Sequence, residues 1–409
     1  MSFSRKEIMT TKGKANLFEV DANGLREVIG GQESWRQVIE LVANVFDEYR
    51  GYNTERIAPV HCEVTLTKDG RNPAVLTVED DGAGFEDVTD IWTFFRSTSK
   101  RSSATVSGRF NAGEKQLLAM ALEAEVLTNN HRVTFKDGQR KHTKHRKLVF
   151  PGTKITASFR WNFVEFDVAV QQLESVIPPQ GLGYIVNGVL IQPPEQIATA
   201  RVPLPTVLLK NVDGMTALRE TTRQTNVQVL DPGGNVPTLY ELGVPVCALD
   251  HEFPYSLNVE QKIPVPLTRD MVSKSYIERL IGQVLQSTAL DGMSLLNDDH
   301  ADATFINGSF KYITDEDALA TLTEDLFPNA VQWSSDTQSN AYATLEGMTV
   351  LSRGKFGRET QERLKQNNLL PTALDQFGNR KQVRSHDMVQ KVPAQCPSCK
   401  HEFVIEVDA

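Results

Sequence analysis

One segment constrains the fold more than any other. Across Ser34–Tyr49, the residues Trp35, Val38, Ile39, Val42, Phe46 and Tyr49 recur at helical spacing and form one apolar stripe. At about 100° per residue, Glu40, Asn44, Asp47 and Glu48 fall together on the opposite side. The stripe demands a sheet or another helix to cover it. The polar side is most simply a solvated face. It also places a carboxylate suited to general-base work, Glu40, one turn from an oxygen donor suited to Mg2+, Asn44.

The chain around that helix reads as α+β. Strands are predicted over residues 60–67, 74–79, 125–129, 153–159 and 184–186, with a further helix over 163–177. Short turns such as Lys68-Asp69-Gly70 join neighbouring strands, which predicts a mixed or antiparallel sheet with helices on one face. Pro193, Pro194, Pro203 and Pro205 then cluster. Proline fixes φ and cannot donate to a ladder, so a domain boundary is expected there. Beyond it, strands near 222–230 and 239–247 precede a helix near 269–287. A helix opening on a Thr314 to Asp317 capping box is expected to stop before Pro328, and Arg358–Gln366 is amphipathic. At roughly 150 residues per domain, the 409 residues are read as units at 1–195, 196–290 and 291–409.

Composition removes several classes. With 40% hydrophobic and 23% charged residues the chain is ordinary globular protein, neither disordered nor fibrous. No run of about 18 apolar residues exists, and the first residues lack a signal-peptide apolar region. A cytoplasmic protein without membrane contact is therefore expected. The net charge of -9 gives no global basic footprint, so nucleic-acid contact would need a local patch. Residues 131–147 supply one, a hairpin around Lys136-Asp137-Gly138 carrying seven Lys/Arg and three His against one Asp. A solvated hairpin is its simpler reading. Four cysteines are too few for a disulfide framework, but Cys396 and Cys399, with His401, have the spacing of half a zinc site.

Glycine-rich segments follow the first helix in order. The strand over 74–79 runs into Asp80-Asp81-Gly82-Ala83-Gly84-Phe85, where glycines allow close backbone approach and a carboxylate at the strand end can accept an amino-group hydrogen bond. Residues 97–108 are rich in serine and poor in apolar side chains, so tight packing is not expected and the segment reads as mobile. Gly108 and Gly113 then lead into a helix with Glu114 and Lys115, a possible phosphate cradle of backbone N–H groups. This stretch nearly mimics a P-loop. A glutamate intervenes before Lys115 and no Ser/Thr follows it, so the metal-binding hydroxyl is missing. Finally, Gly152-Thr153 opens another strand.

These elements in this order resemble the GHKL ATPase family, which includes gyrase B subunits, type IIB topoisomerases, MutL, heat-shock chaperones, histidine kinases and MORC proteins. The resemblance covers about residues 34–160. Glu40 to Glu48 is similar to the family's N box, departing at Glu48, where a small residue is usual. Asp80 to Gly84 resembles its first glycine box, Gly108 to Gly113 a loosely spaced second, and Gly152-Thr153 the third. Thr98-Ser99-Lys100 is similar to the start of the MutL and MORC lid. The resemblance implies a Bergerat-type α/β sandwich in which Asp80 accepts the adenine amino group with Gly82, Gly84 and Thr153 nearby. It also implies that Asn44 holds Mg2+ and Glu40 polarises the attacking water. Asp47, Lys100, Gly108, Gly113, Glu114 and Lys115 are implied around the nucleotide, under a lid spanning about 85–113.

The family's gyrase, topoisomerase, MutL and MORC branch carries a βαβ transducer domain that reaches back with a lysine, and 196–290 has the length and place for one. Gln261-Lys262 resembles that loop without its middle threonine, which implies a γ-phosphate role for Lys262, with Arg269 as substitute. The implied activity is Mg-dependent hydrolysis of ATP that drives homodimerisation and conformational change and acts on DNA or a DNA-associated complex, with an effector protein as a further partner. An ATP-dependent scaffold or chaperone-type clamp without turnover is the alternative. A histidine autokinase is disfavoured, because no His precedes Ser34.

Overall fold

The computed structural model describes residues 34–51, 57–94, 100, 102–108, 113–212, 215–265, 272–378, 389–395 and 402–408, with Gly24 and Glu27. The chain divides into two compact units, Met1–Ser273 and Lys274–Ala409.

In the first unit, helix α1 (Ser34–Tyr49) buries Trp35, Val38, Ile39, Val42 and Phe46, as the stripe predicts. They pack on strands β1 (His61–Thr67) and β2 (Ala74–Asp80). On β1, Cys62, Val64 and Leu66 point inward while Glu63 and Thr65 alternate outward, the pattern of a sheet covered on one side. Helix α2 (Gly113–Met120) precedes β3 (Glu123–Asn129), β4 (His131–Lys136), β5 (Gln139–Lys144) and β6 (Phe150–Phe159). Helix α3 (Phe163–Glu174), with Asn162 and Glu165 closing a capping box, leads to β7 (Gly183–Val186) and β8 (Val189–Leu190). The eight strands form one sheet in the order β5-β4-β3-β6-β2-β1-β7-β8. Only the β1–β7 pairing is parallel, so the sheet is mixed. The helices share one core with one face of it, the α+β arrangement expected from the sequence.

A second sheet in the same unit has the order β12-β11-β13-β10-β9. Within its long strands β9 (Gln196–Val212) and β10 (Met215–Leu230), Pro203 and Pro205 lie inside β9, opposite Gln224 and Thr222, so they do not interrupt the strand. Among the described residues β9 is an edge strand, where a missing N–H costs little. The strand expected over 239–247 is in fact a hairpin, β11 (Thr238–Glu241) and β12 (Val244–Ala248), followed by β13 (Ser256–Val259). Its turn uses Leu242 and Gly243 at φ 52° and 81°. Leucine is an unusual residue for that conformation. A Cβ at Gly243 would sit 2.1 Å from the Ile177 carbonyl oxygen.

In the second unit, α4 (Lys274–Leu290) packs on α5 (Thr304–Ser309) and α6 (Glu316–Leu326). Asp315, not Thr314, caps α6, accepting from the backbone N–H groups of Asp317 and Ala318. A parallel pair, β14 (Ala330–Gln332) and β15 (Thr349–Leu351), encloses α7 (Thr337–Leu345), and α8 (Arg358–Gln366) and α9 (Ala373–Phe377) follow. Strands β16 (Val389–Gln395) and β17 (Glu402–Asp408) pair antiparallel. Among the described residues no helix is long and apolar enough to cross a membrane.

Candidate functional site

The end of β2 is shaped by close backbone contacts. Asp80 stands opposite Cys62 on β1 and Thr153 on β6, and its Oδ1 accepts the Gly82 N–H at 2.9 Å. Asp81 Oδ1 accepts from the N–H groups of Val60 at 2.7 Å and His61 at 2.9 Å. Gly152 has φ +90°, and a Cβ there would lie 2.1 Å from the Asp80 carbonyl oxygen. Gly84, at φ +70°, has Thr128 Oγ1 2.5 Å and Asn129 Nδ2 2.7 Å from where its Cβ would be. The same two side chains hold the turn: Phe85 N–H donates to Thr128 Oγ1 at 2.9 Å, and Asn129 Nδ2 donates to the Ala83 carbonyl at 3.0 Å. Sequence reading missed Thr128 and Asn129; their only signal is a polar pair at a strand end. Burial pushes the Asp80 carboxyl up to about 6, opposed by the Gly82 and Thr153 N–H groups and reinforced by the charges of Glu48 and Asp81.

The edge of α1 runs between this strand end and α2. Glu40, Asn44 and Glu48 are half-buried along it. At one end Glu48 is near enough to Asp80 to raise its carboxyl. At the other, a Cβ on Gly113 would meet Glu40 Oε2 at 2.6 Å, so Glu40 lies against the first residue of α2. Glu114 and Lys115 pair with each other, both buried. Burial depresses the Lys115 ammonium, against the pull of Glu114 and Asp90. Lys115 is therefore not displayed as a solvated cation.

Asp47 departs from the expected polar face. It is fully buried, because Ser107 and Gly108 fold over this part of α1. Asp47 Oδ1 accepts the Ser107 N–H at 2.7 Å, while Oδ2 accepts Ser107 Oγ and the Gly108 N–H at 3.1 Å each. Lys100 Nζ lies 3.5 Å from the same oxygen. The described part of this segment is thus held in place, contrary to its reading as loosely packed. Lys262, also fully buried, reaches the segment from the loop after β13. Its Nζ donates to the Lys100 carbonyl at 2.5 Å and its N–H to the Ala104 carbonyl at 2.8 Å.

The structure therefore sets Glu40 against Gly113, groups Asp80, Gly82, Gly84 and Thr153 at the strand end, joins Asp47, Lys100, Gly108 and Lys262 through shared contacts, and leaves Asn44 half-buried on α1 between Glu40 and Glu48. Thr98, Ser99, Arg269, Cys396, Cys399 and His401 lie outside the described residues. Among the described residues no group of three or more His, Cys, Asp or Glu side chains is arranged to hold a metal ion.

No protein-family profile matches the chain, and no curated protein does. Among solved structures, the ATPase region of Saccharomyces cerevisiae topoisomerase II is similar at a TM-score of 0.33 and 10% sequence identity, over 60% of this chain and 82% of that one. The same region bound to ICRF-187 (dexrazoxane) is similar at a TM-score of 0.34 and 9% identity, over 63% of this chain and 85% of that one.

Proposed function

We propose that the first unit binds ATP with Mg2+ and hydrolyses it. One observation carries this reading: the α1 edge lies against the start of α2 at Glu40 and within electrostatic reach of the glycine-shaped strand end at Glu48. Asp80, an acceptor beside a tight glycine turn, suits an adenine amino group. Magnesium commonly takes few protein ligands and completes its shell with phosphate oxygens and waters. Asn44, half-buried on the α1 edge, would supply one such ligand oxygen. Bound Mg2+ would neutralise phosphate charge. Glu40 would take the proton of the attacking water, and Lys262 would exchange its Lys100 carbonyl for the terminal phosphate.

Removing a general base costs about 10²–10⁴ in rate. Glu40→Ala should therefore keep ATP binding and lose turnover to that extent, whereas Asp80→Asn should lose binding. Filter binding and phosphate release on both variants test this, and full turnover by Glu40→Ala removes Glu40 from the role.

Dimerisation on ATP belongs to the same proposal, as do an effector partner, zinc at Cys396, Cys399 and His401, and DNA contact through 131–147. The last is supported by the division of charge on the hairpin. Arg132 and Lys136 are engaged by Glu125 and Glu123, and the Arg140 guanidinium sits 4.2 Å over the Trp92 ring. Lys141, Lys144, Arg146 and Lys147 are exposed on or beside an edge strand. Replacing those four by alanine should flatten the salt dependence of DNA binding by up to about four in log–log slope. Replacing Arg132 and Lys136 should change it less. An unchanged slope in the first variant removes the hairpin from the interface.

A further inference from the structure

The segment from Lys100 to Gly108 has few apolar side chains, yet Ala104, Val106 and Ser107 are only 2%, 1% and 3% exposed. Hydrophobic packing alone does not explain so ordered a polar stretch. Two buried charges do, and they divide the work by chemistry. Asp47, on α1, accepts from the N–H groups of Ser107 and Gly108. Lys262, on the loop after β13, donates to the carbonyls of Lys100 and Ala104, the first through its side chain and the second through its backbone. A buried charge is costly unless hydrogen-bonded, so each favours the conformation that supplies its partners. Lys100 joins the two ends, its carbonyl on Lys262 and its ammonium 3.5 Å from Asp47.

We infer that Asp47 and Lys262 are positioning residues that act as one clamp on Lys100 and residues 102–108, tying their conformation to the second sheet. The loop carrying Lys262 is itself fixed to that sheet. Gln261 Nε2 donates to the Leu204 carbonyl at 3.2 Å, Glu260 N–H to the Asn226 carbonyl at 3.0 Å, and Ile263 N–H to the buried Glu241 at 2.9 Å. A displacement of 100–108 must therefore load the 260–263 loop, and the reverse holds equally. The clamp's consequence for turnover rests on the ATP reading.

Amide hydrogen exchange on the full chain without nucleotide tests it. Asp47→Asn should speed exchange at Ser107 and Gly108 by about 10- to 100-fold, the loss of charge-assisted bonds. Lys262→Met, similar in length but without the side-chain donor, should speed exchange next to the released Lys100 carbonyl while its backbone N–H still donates to Ala104, and Lys262→Arg should restore much of the protection. The double variant should show less than the product of the two single effects, the mark of one cooperative element. Unchanged protection of β2 and β6 verifies the fold. Should Asp47→Asn lose that protection, the Lys262 pair decides alone. Single-variant exchange within threefold of the parent, or a double variant equal to the product, overturns the clamp. In a second arm, Asp47→Asn should lower kcat for ATP while leaving ADP affinity unchanged. Equal loss of both contradicts positioning. A parent chain with no turnover sinks the ATP reading and leaves the exchange result standing.

Discussion

The strand end at Asp80 and the segment at 100–108 both border helix α1, yet they are held in opposite ways. The first is fixed by sterics, with Gly84 and Gly152 packed against backbone and short side chains that have nowhere to go. The second is fixed by charge: its order depends on Asp47 and Lys262, which are respectively 60 and 162 positions from the residues their side chains grip. A site built this way has one wall that does not deform and one that two hydrogen-bonded charges can release. On the proposed ATP reading, the rigid wall would receive the flat ring and the releasable one would serve a step that follows binding.

The contrast breaks first at Gly152. A Cβ there would lie 2.1 Å from the Asp80 carbonyl oxygen, at a φ of +90° that side chains rarely adopt. Neither β2 nor β6 can move without loosening the sheet. Gly152→Ala should destabilise the first unit by roughly 3 kcal/mol or more and lower its melting temperature by on the order of 10 °C, measured by calorimetry. A melting temperature within about 2 °C of the parent would mean that the strand end is as yielding as the clamped segment.

Asp80 gives a smaller effect whose sign differs between binding and stability. Its carboxyl is raised by burial from 3.8 to about 6. A ligand amino group prefers the ionised form, so affinity should be constant above about pH 6 and fall up to about tenfold per unit below it. Between about 4 and 6 the folded chain holds this proton more tightly than the unfolded chain does. The contribution of Asp80 to stability therefore falls as pH rises through that window, opposite to its effect on binding. Titration calorimetry from pH 5 to 8 reads the first, and chemical denaturation over pH 4–6 the second. A pH-independent affinity across that range would remove Asp80 as the ionised acceptor.

What the sequence disclosed follows the same division. Helix α1 was legible because its stripe repeats at 3.6 residues, and the Asp80 turn because glycines beside a strand carry their steric reason locally. Asp47 was misplaced for a physical cause: helical periodicity assigns faces relative to one core and has no knowledge of a distant segment folding over the other side. Lys262 could be singled out only by its resemblance to a family loop, and nothing in its own neighbourhood shows that it is buried against Lys100. That Pro203 and Pro205 can lie inside β9 is not legible locally, because the rule against proline in ladders holds for central strands, and edge position is a property of topology. Leu242 in the left-handed region hid a turn that an Asn-Gly pair would have announced.

The smallest effect, and the one that most sharpens the contrast, is expected at Gly108. Its Cβ would meet the Lys100 side chain, with Cδ at 2.8 Å and Cβ at 3.2 Å, and no backbone atom is among its nearest neighbours. A change of rotamer carries the Lys100 Cδ away and its Cβ needs to give by only a few tenths of an ångström, where the carbonyl above Gly152 cannot yield. The Gly108 N–H would still donate to Asp47, whose other bonds to Ser107 are untouched. What would be lost is the approach of Lys100 Nζ to Asp47, a pair in which the lysine is 14% exposed. Gly108→Ala should accordingly cost roughly 1 kcal/mol or less in global stability by denaturant titration. It should leave the amide of Ser107 protected while loosening Lys100. A cost approaching that of Gly152→Ala would show that residues 100–108 are held by close packing after all, and the distinction between a steric wall and a charge-held one would fail.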